Sequence, residues 1–360
     1  MVYDTKLITT STMSIKLTNI NALDWYSMGT TGITWLNGNH DIIFTHGIWL
    51  TGMIGDTLIG TTSGWGLDYS PGPIIDGQAA MIVQPENSNS YRIYHIDQNS
   101  GPGNPDYDEW PVQWGAPDNP DGSPKVYGDQ TAYMVYNDAH PSDDLRGFPQ
   151  SDPTPIEIHE TVWDHSTDNS NENEAELENV IFFRYQLYNR GNLDIDDAAL
   201  ALWTDIDIYA VMANWGGYNA DGNYMFNYYT DNDSGYIPRA CAYVLLQGPV
   251  VPAVGETAIA FDHQIDGSNN LNSTSGWYVV DDSYPVGNGD VFGVYPDELD
   301  QLRNISLGLM PNGDPIIHPI TGDTTTYTHD GNPATGDGWL WDYGSGGGAG
   351  FVSEGDFDCC

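Results

Sequence analysis

Residues 178–207 read ENVIFFRYQLYNRGNLDIDDAALALWTDID, and the fold class turns on them. From Val180 to Tyr188 the side chains alternate, with Ile181, Phe183, Tyr185 and Leu187 on one face and Arg184 and Gln186 on the other. That is the pattern of a half-buried β-strand. Asn189-Arg190-Gly191-Asn192 then offers residues that tolerate positive φ, and Ala198 to Trp203 is apolar on both faces. Together they predict a β-hairpin whose second strand is the more deeply buried. At its end Trp203, Asp205 and Asp207 fall at i, i+2 and i+4, so two carboxylates project together where sheet gives way to loop.

Outward from this stretch the chain repeats the same grammar. Asp129–Asn137 and Ile156–Trp163 alternate as strands, and Asp41–Ile59, broken by Gly47, Gly52 and Gly55, suits two or three short buried ones. Tyr91–Ile96, Ala240–Gln247 and Ala258–Phe261 read as further strands. Residues 1–20 suit a strand or an extended arm, and Asn214–Gly235 reads as a loop excursion. Pro296–Leu307 is the helix candidate, with proline and acids in its first turn and Leu299, Leu302 and Ile305 on one face. Asn99–Gly128 is a long loop dense in Pro, Gly, Asp and Trp, a length that an ordered domain keeps for function or pins with its own side chains. Trp110 and Trp114 are the candidate pins. The expected fold is mainly β: antiparallel β-sandwiches with long Gly, Asp and aromatic loops and at most one short helix. The expected organisation is a β-rich region over 1–150, a sandwich region over 151–343 and a glycine-rich tail over 344–360, the first two able to form one compact unit.

Composition limits the partners. The chain of 360 residues carries 51 acids against 9 Lys and Arg, a net charge of −42, yet its charged content of 17% is below the usual quarter. Nucleic acid and anionic lipid are repelled, because phosphate contacts need cations that this chain lacks. Self-repulsion favours bound divalent cations, and calcium is the first candidate because carboxylates and carbonyls are its ligands. Cys241 stands alone and Cys359-Cys360 are adjacent, so the three cysteines give no disulfide framework and no C-x-x-C site. No apolar run is long enough to insert in a membrane.

Several stretches, in order, resemble the large β-rich module of secreted proteins that carry type IX secretion sorting domains. They are IIFTHGIWLTGMIGD (42–56), YSPGPI (69–74), DYDEWPVQWGAPDNPDGSPKVYGDQTAYMVYNDAHP (106–141) and IEIHETVW (156–163). WTDID (203–207), LLQGPVVP (245–252) and DGNPATGDGWLWD (330–342) continue the series. The resemblance implies an extracellular or cell-surface protein and assigns no catalytic residue. The tail after Trp341 departs from the pattern, and no sorting domain is recognisable in it.

Candidate sites follow from residue types. Asp205 and Asp207, with Asp221, Asp231 and Asp233 of the following loop, could give calcium its six to eight oxygens; turn capping is the plain alternative. Asp118, Asp121 and Asp129 form a second acidic group that reads equally well as a turn. Trp65, Trp110, Trp114 and Trp215 lie in loops where aromatic rings could stack on sugars, or simply pack. A glycosidase would need Glu157 and Glu160 with Glu178, or Asp205 with Asp207, at roughly 5–9.5 Å across a sugar. HETVWDH (159–165) is not H-E-x-x-H, and strand alternation sends His159 and Glu160 to opposite faces. No G-x-S-x-G occurs. The leading expectation is a non-enzymatic extracellular structural protein that assembles with itself through strands, aromatic loops and its N-terminal arm. The alternative is a calcium-dependent module that binds polysaccharide or mediates adhesion.

Overall fold

β11 (Gln130–Asn137) and β12 (Ile156–Asp164) lie at the centre of the first unit, paired antiparallel from Gln130↔Asp164 to Asn137↔Glu157. Their residues are buried on both faces, which is why polar side chains at alternate positions must be paired rather than solvated. The structure, a computed structural model, describes residues 4–20, 31–36, 40–64, 67–142, 149–165, 177–208, 215–228, 239–261, 263–277, 296–332, 335 and 337–339. Within these residues the fold is mainly β, and every ladder between its strands is antiparallel.

The chain divides into two compact units, Met1–Asp205 and Ile206–Cys360. The boundary expected after residue 150 is crossed by the central sheet, since β12 follows it and pairs with β11 before it. In the first unit, β1 (Thr5–Thr9), β2 (Met13–Thr18), β3 (Ile33–Trp35) and β4 (His40–Ile43) form one sheet in that order. β5 (Thr45–Ile54) and β6 (Thr57–Thr61) are followed by three short strands, β7 (Ser70–Pro71), β8 (Ile74–Ile75) and β9 (Gln78–Ala79). β10 (Tyr94–Asp97), β11, β12 and β13 (Ile181–Asn189) make the central sheet, with β7 continuing the β10 edge of β11. β14 (Asp196–Asp205) joins β5 and β6 in the order β14-β5-β6. This second sheet packs on the central one: Tyr185 Oη lies 3.3 Å from His46 Nε2, and the His46 and Phe183 rings meet edge-on at 4.7 Å. Tyr69 stacks on Tyr136 at 5.4 Å in the same interior.

The stretch 178–207 is therefore two strands, as expected, but not a hairpin. Among the described residues β13 pairs with β12 alone, whereas β14 pairs with β5, so the chain crosses from one sheet to the other between them. The crossing is held locally: the Arg190 amide donates to Pro155 O at 2.8 Å, and the Asn189 side chain spans to Gly191 N and Leu193 O. Nor is β14 deeply buried. As the outer strand of its sheet it leaves Leu200 and Leu202 41% and 37% exposed, and only Trp203 and Asp205 at its end are covered. The alternation of β13 holds, with Phe183 and Tyr185 toward the second sheet and Arg184 on the other face.

Residues 5–18 are a docked hairpin rather than an extended arm. Lys6 pairs with Asp106 at 2.8 Å, Gln130 Nε2 donates to Thr9 O, and Asn19 Nδ2 donates to Tyr91 O. In the second unit, β15 (Trp215–Asn219), β16 (Tyr224–Tyr228) and β17 (Ala240–Val244) form a meander: β17 lies where a strand was expected, β15 and β16 where a loop excursion was. Glycines at 216 and 217 hid β15; Gly217 sits where a Cβ would strike the His329 carbonyl, so the close approach selects glycine inside a strand. β18 (Val250–Ala260) and β19 (His263–Asn270) form a separate two-stranded ribbon with Val254 and Ile259 exposed. The expected helix is present as Leu299–Ser306, with Leu302 and Ile305 buried. Further helical turns lie at Ala80–Val83 and Pro85–Tyr91, and at Pro105–Asp108 and Val112–Trp114 within the long loop. The tail 344–360, with Cys359 and Cys360, lies outside the described residues.

Candidate functional site

Two polar residues on β12 define the site. Glu157 and His159 stand two apart, so both face the same side of the central sheet, and both are 3% exposed or less. Register places Asn137 and Tyr188 beside Glu157, and Val135 and Gln186 beside His159. A buried carboxylate survives only if paired. Glu157 Oε1 accepts from His159 Nε2 at 2.7 Å and from Arg190 through Nε at 3.1 Å and Nη2 at 2.5 Å; Oε2 accepts the Ile74 amide at 2.6 Å. Burial raises its pKa, but the hydrogen bonds from His159, Arg190 and Ile74 outweigh that and bring it to about 2. It is thus a permanent anion, which fixes a proton on His159 Nε2.

The other His159 nitrogen lies 2.9 Å from the Tyr133 hydroxyl, which also donates to Trp114 O at 2.7 Å. This contact ties the long loop to the sheet, and Gly115 at φ +87° lets the chain turn immediately beyond it. Trp110, 6% exposed, anchors the same loop with Nε1 donating to Pro117 O at 2.8 Å, within a core of Tyr94, Ile96, Ala116, Tyr133 and Val135. The long loop is therefore pinned by Trp110, and it presents Trp114.

What results is a cleft of about 710 Å³. It is lined by Glu157, His159, Tyr188 and Arg190 of the central sheet and the turn after it, by Pro73, Ile74 and Ile75, by Gln84, Asn87, Ser90 and Tyr91, and by Gln113, Trp114 and Gly115 of the long loop. Arg190 stacks on Tyr188 with its guanidinium carbon 4.6 Å from the ring centroid. A second depression of about 460 Å³ shares Ser90, Gln113 and Trp114 and adds Tyr94, Asp108, Glu109 and Trp110. Ser90, Gln113 and Trp114 thus line both depressions, which adjoin as one groove at these residues.

Of the four tryptophans expected in binding loops, Trp114 lines this groove. Trp110 borders only the second depression and is chiefly a pin, as the packing alternative held. Trp215 is in β15, paired with Tyr228 in the second unit, and Trp65 lies outside the described residues. The acidic set is dispersed in its description: Asp205 is buried at the end of β14, Asp207 is half-buried beyond it, and Asp221 is exposed in the turn before β16. Asp231 and Asp233 lie outside the described residues. Among the described residues no three His, Cys, Asp or Glu side chains converge as a metal would need. Asp121 accepts from Ser123 N and Oγ, the turn reading of that second acidic group.

The carboxylate pairs weighed for a glycosidase do not assemble from β12. Glu157 and Glu160 are on opposite faces of one strand: Glu160 is sealed between the sheets with Tyr136 Oη donating to it at 2.9 Å, while Glu178 accepts from Ser11 at the far end of the sheet. His159 and Glu160 diverge as the alternation predicts. Arg190 and Tyr188 were read only as turn and strand residues. The signal that could mark them is Glu157 and His159 at i, i+2 on one face of a strand buried on both sides, since a buried carboxylate needs a charged or hydrogen-bonding partner nearby. The chain matches no protein-family model, no curated protein and no solved structure.

Proposed function

We propose that this protein is a non-catalytic, extracellular binding protein whose ligand is a saccharide held in the groove on either side of Trp114. The observation that carries the proposal is the composition of that groove. The half-buried ring of Trp114 shares the lining with side-chain amides (Gln84, Asn87, Gln113) and one fixed charged pair, while Tyr91 is buried behind it and Tyr188 lies under Arg190. Sugar rings present apolar faces and a rim of hydroxyls, so stacking planes beside two-way hydrogen-bonding amides match them. Glu157 is poorly suited to proton transfer, since a carboxyl at about 2 neither holds a proton near neutral pH nor takes one readily. The extracellular setting is supported by the resemblance in 42–342 alone.

Replacing Trp114 with alanine should weaken oligosaccharide binding at least tenfold, measured by calorimetry against a panel of hexasaccharides, and should lower the melting temperature as well, because the ring also packs on Tyr91 and the core beside it. Trp110→Phe should act on stability instead: the lost hydrogen bond to Pro117 O costs about 1 kcal/mol of stability, and affinity follows only weakly. Equal affinity of Trp114→Ala and wild type for every binder found would remove the groove from the proposal. Calcium remains part of the proposal through Asp205 and Asp207. Adding it to metal-stripped protein at a hundredfold excess over Kd should stabilise the fold by about 2.7 kcal/mol, and a double Asp205→Asn, Asp207→Asn variant should lose that gain.

A second reading, a self-assembling surface protein, is favoured by the place of β14 at the end of its sheet's strand order among the described residues, with Leu200 and Leu202 exposed on it. Unpaired strand edges accept strands from other chains. Light scattering that stays monomeric across concentration and calcium would remove this reading.

A further inference from the structure

Resting on the saccharide reading, we infer that the ligand carries a single anionic group, a uronate carboxylate or a sulfate, which docks on Arg190, while its remaining residues are neutral. The chain has 9 Lys and Arg to set against 51 acids, so a cation placed in a cleft is a selective feature. Glu157 does not exhaust Arg190. Both contacts from the guanidinium, Nε and Nη2, go to the same oxygen, Oε1, which His159 Nε2 also approaches. Nη1 has no hydrogen-bond partner among the described residues, and the side chain is 41% exposed where it lines the cleft. Glu157 on one side and the Tyr188 ring beneath hold the guanidinium in one orientation. A planar fork so held binds a carboxylate or sulfate with little further loss of side-chain freedom.

The same groove limits how many anions the ligand can bear. Beyond Trp114 the second depression is lined by Asp108 and Glu109, and Arg92 there is already committed to Asp106 at 3.0 Å and Glu109 at 3.1 Å. A second anion on that side meets carboxylates. The overall charge of −42 works in the same direction, though at 0.15 M salt charges beyond about 8 Å are screened, so the local groups decide. The geometry thus places the acidic end of the ligand over Arg190 and the neutral remainder across Trp114.

Calorimetry with the full chain at 0.15 M salt tests this with four probes: a xylo-oligosaccharide bearing one glucuronic acid, its methyl ester, the same backbone bearing one sulfate, and hexagalacturonate. The expected result is that the mono-uronate or the mono-sulfate binds at least tenfold tighter than the ester, the stronger of the two naming the anion. Hexagalacturonate should be weaker than the better single-charge probe. Arg190→Gln should abolish the preference for acid over ester while still binding the ester. Equal binding of acid and ester, or a preference that survives in Arg190→Gln, overturns the inference and leaves the saccharide reading standing. Tightest binding by hexagalacturonate overturns the single-charge claim. Neutral and acidic probes all failing to bind, with further neutral hexasaccharides equally silent, overturns the saccharide reading itself.

Discussion

Glu157→Ala should lower the stability of the first unit by about 2–3 kcal/mol, the cost of leaving buried donors without an acceptor, since Arg190 is 41% exposed and can turn to water. Three groups lose their acceptor at once: the His159 ring nitrogen, the Arg190 guanidinium and the Ile74 amide. His159 is 3% exposed and has no second acceptor for Nε2, so the loss is felt as an unsatisfied donor as well as a missing attraction. At roughly 2–4 °C per kcal/mol for a unit of this size, the melting temperature should fall on the order of 10 °C. Glu157→Gln keeps one acceptor oxygen, which can serve Arg190 and His159 or the Ile74 amide but not both, and should cost less than the alanine variant. The acid limb of the stability curve carries the same group. Its folded pKa, about 2, lies below the ordinary 4.5, so its contribution is complete above pH 4.5 and is lost as pH falls through 2. Thermal melts of wild type and Glu157→Gln should therefore converge in acid. A melting point for Glu157→Ala within a degree or two of wild type would mean that water replaces the carboxylate, and that this part of the cleft is not the rigid frame described.

The sequence made the strands legible and the partnerships only in part. β11, β12 and β13 announce themselves by alternation, because each has one face toward a packed interior. The hairpin reading of 178–207 failed because NRGN is equally good chemistry for a tight turn and for a crossing between sheets. What decides between them is the free edge of β5, which lies more than a hundred residues earlier. Period alone carries no information about which distant strand has an unfilled edge. The site shows the same limit. Trp114 was singled out as a loop aromatic, but Arg190 was not, because its value comes from Glu157, thirty-three residues away and adjacent only through the β12–β13 register. Conversely, Trp110 and Trp114 looked alike in DEWPVQW, and only the hydrogen bond from Trp110 to Pro117 separates the pin from the presented ring. The acidic loops were the least legible feature, since isolated aspartates in Gly- and Asn-rich turns cap backbone amides as readily as they gather around an ion.

Glu160 should make the protein less stable as pH rises from 6.5 to 8. It is buried between the two sheets, with hydrogen bonds from Tyr136 and Tyr185, and burial drives its pKa from 4.5 up to about 8 despite those bonds. The folded state therefore holds a proton that the unfolded chain releases above pH 4.5. Its contribution is fully present below 4.5 and is lost as pH climbs to about 8. One neighbour acts in the opposite sense. His46, facing the same interior through Tyr185, is pushed by burial from 6.5 down to about 3, so it penalises the folded state as pH falls below 6.5. Between 4.5 and 6.5 the two slopes oppose each other, and above 6.5 His46 is neutral in both states and only the carboxyl remains of the pair. Asp68, also raised by burial, changes stability in the same direction as Glu160, so the effect of Glu160 is read as a difference from its variant. Glu160→Gln keeps the shape and stays neutral. At pH 5 it should melt close to wild type, and at pH 8.5 it should melt higher by several degrees, because only the wild type has to bury a charge or retain a proton against the solvent. Parallel melting curves for the two proteins from pH 5 to 8.5 would show that Glu160 ionises freely, and that the interior between the sheets is hydrated rather than sealed.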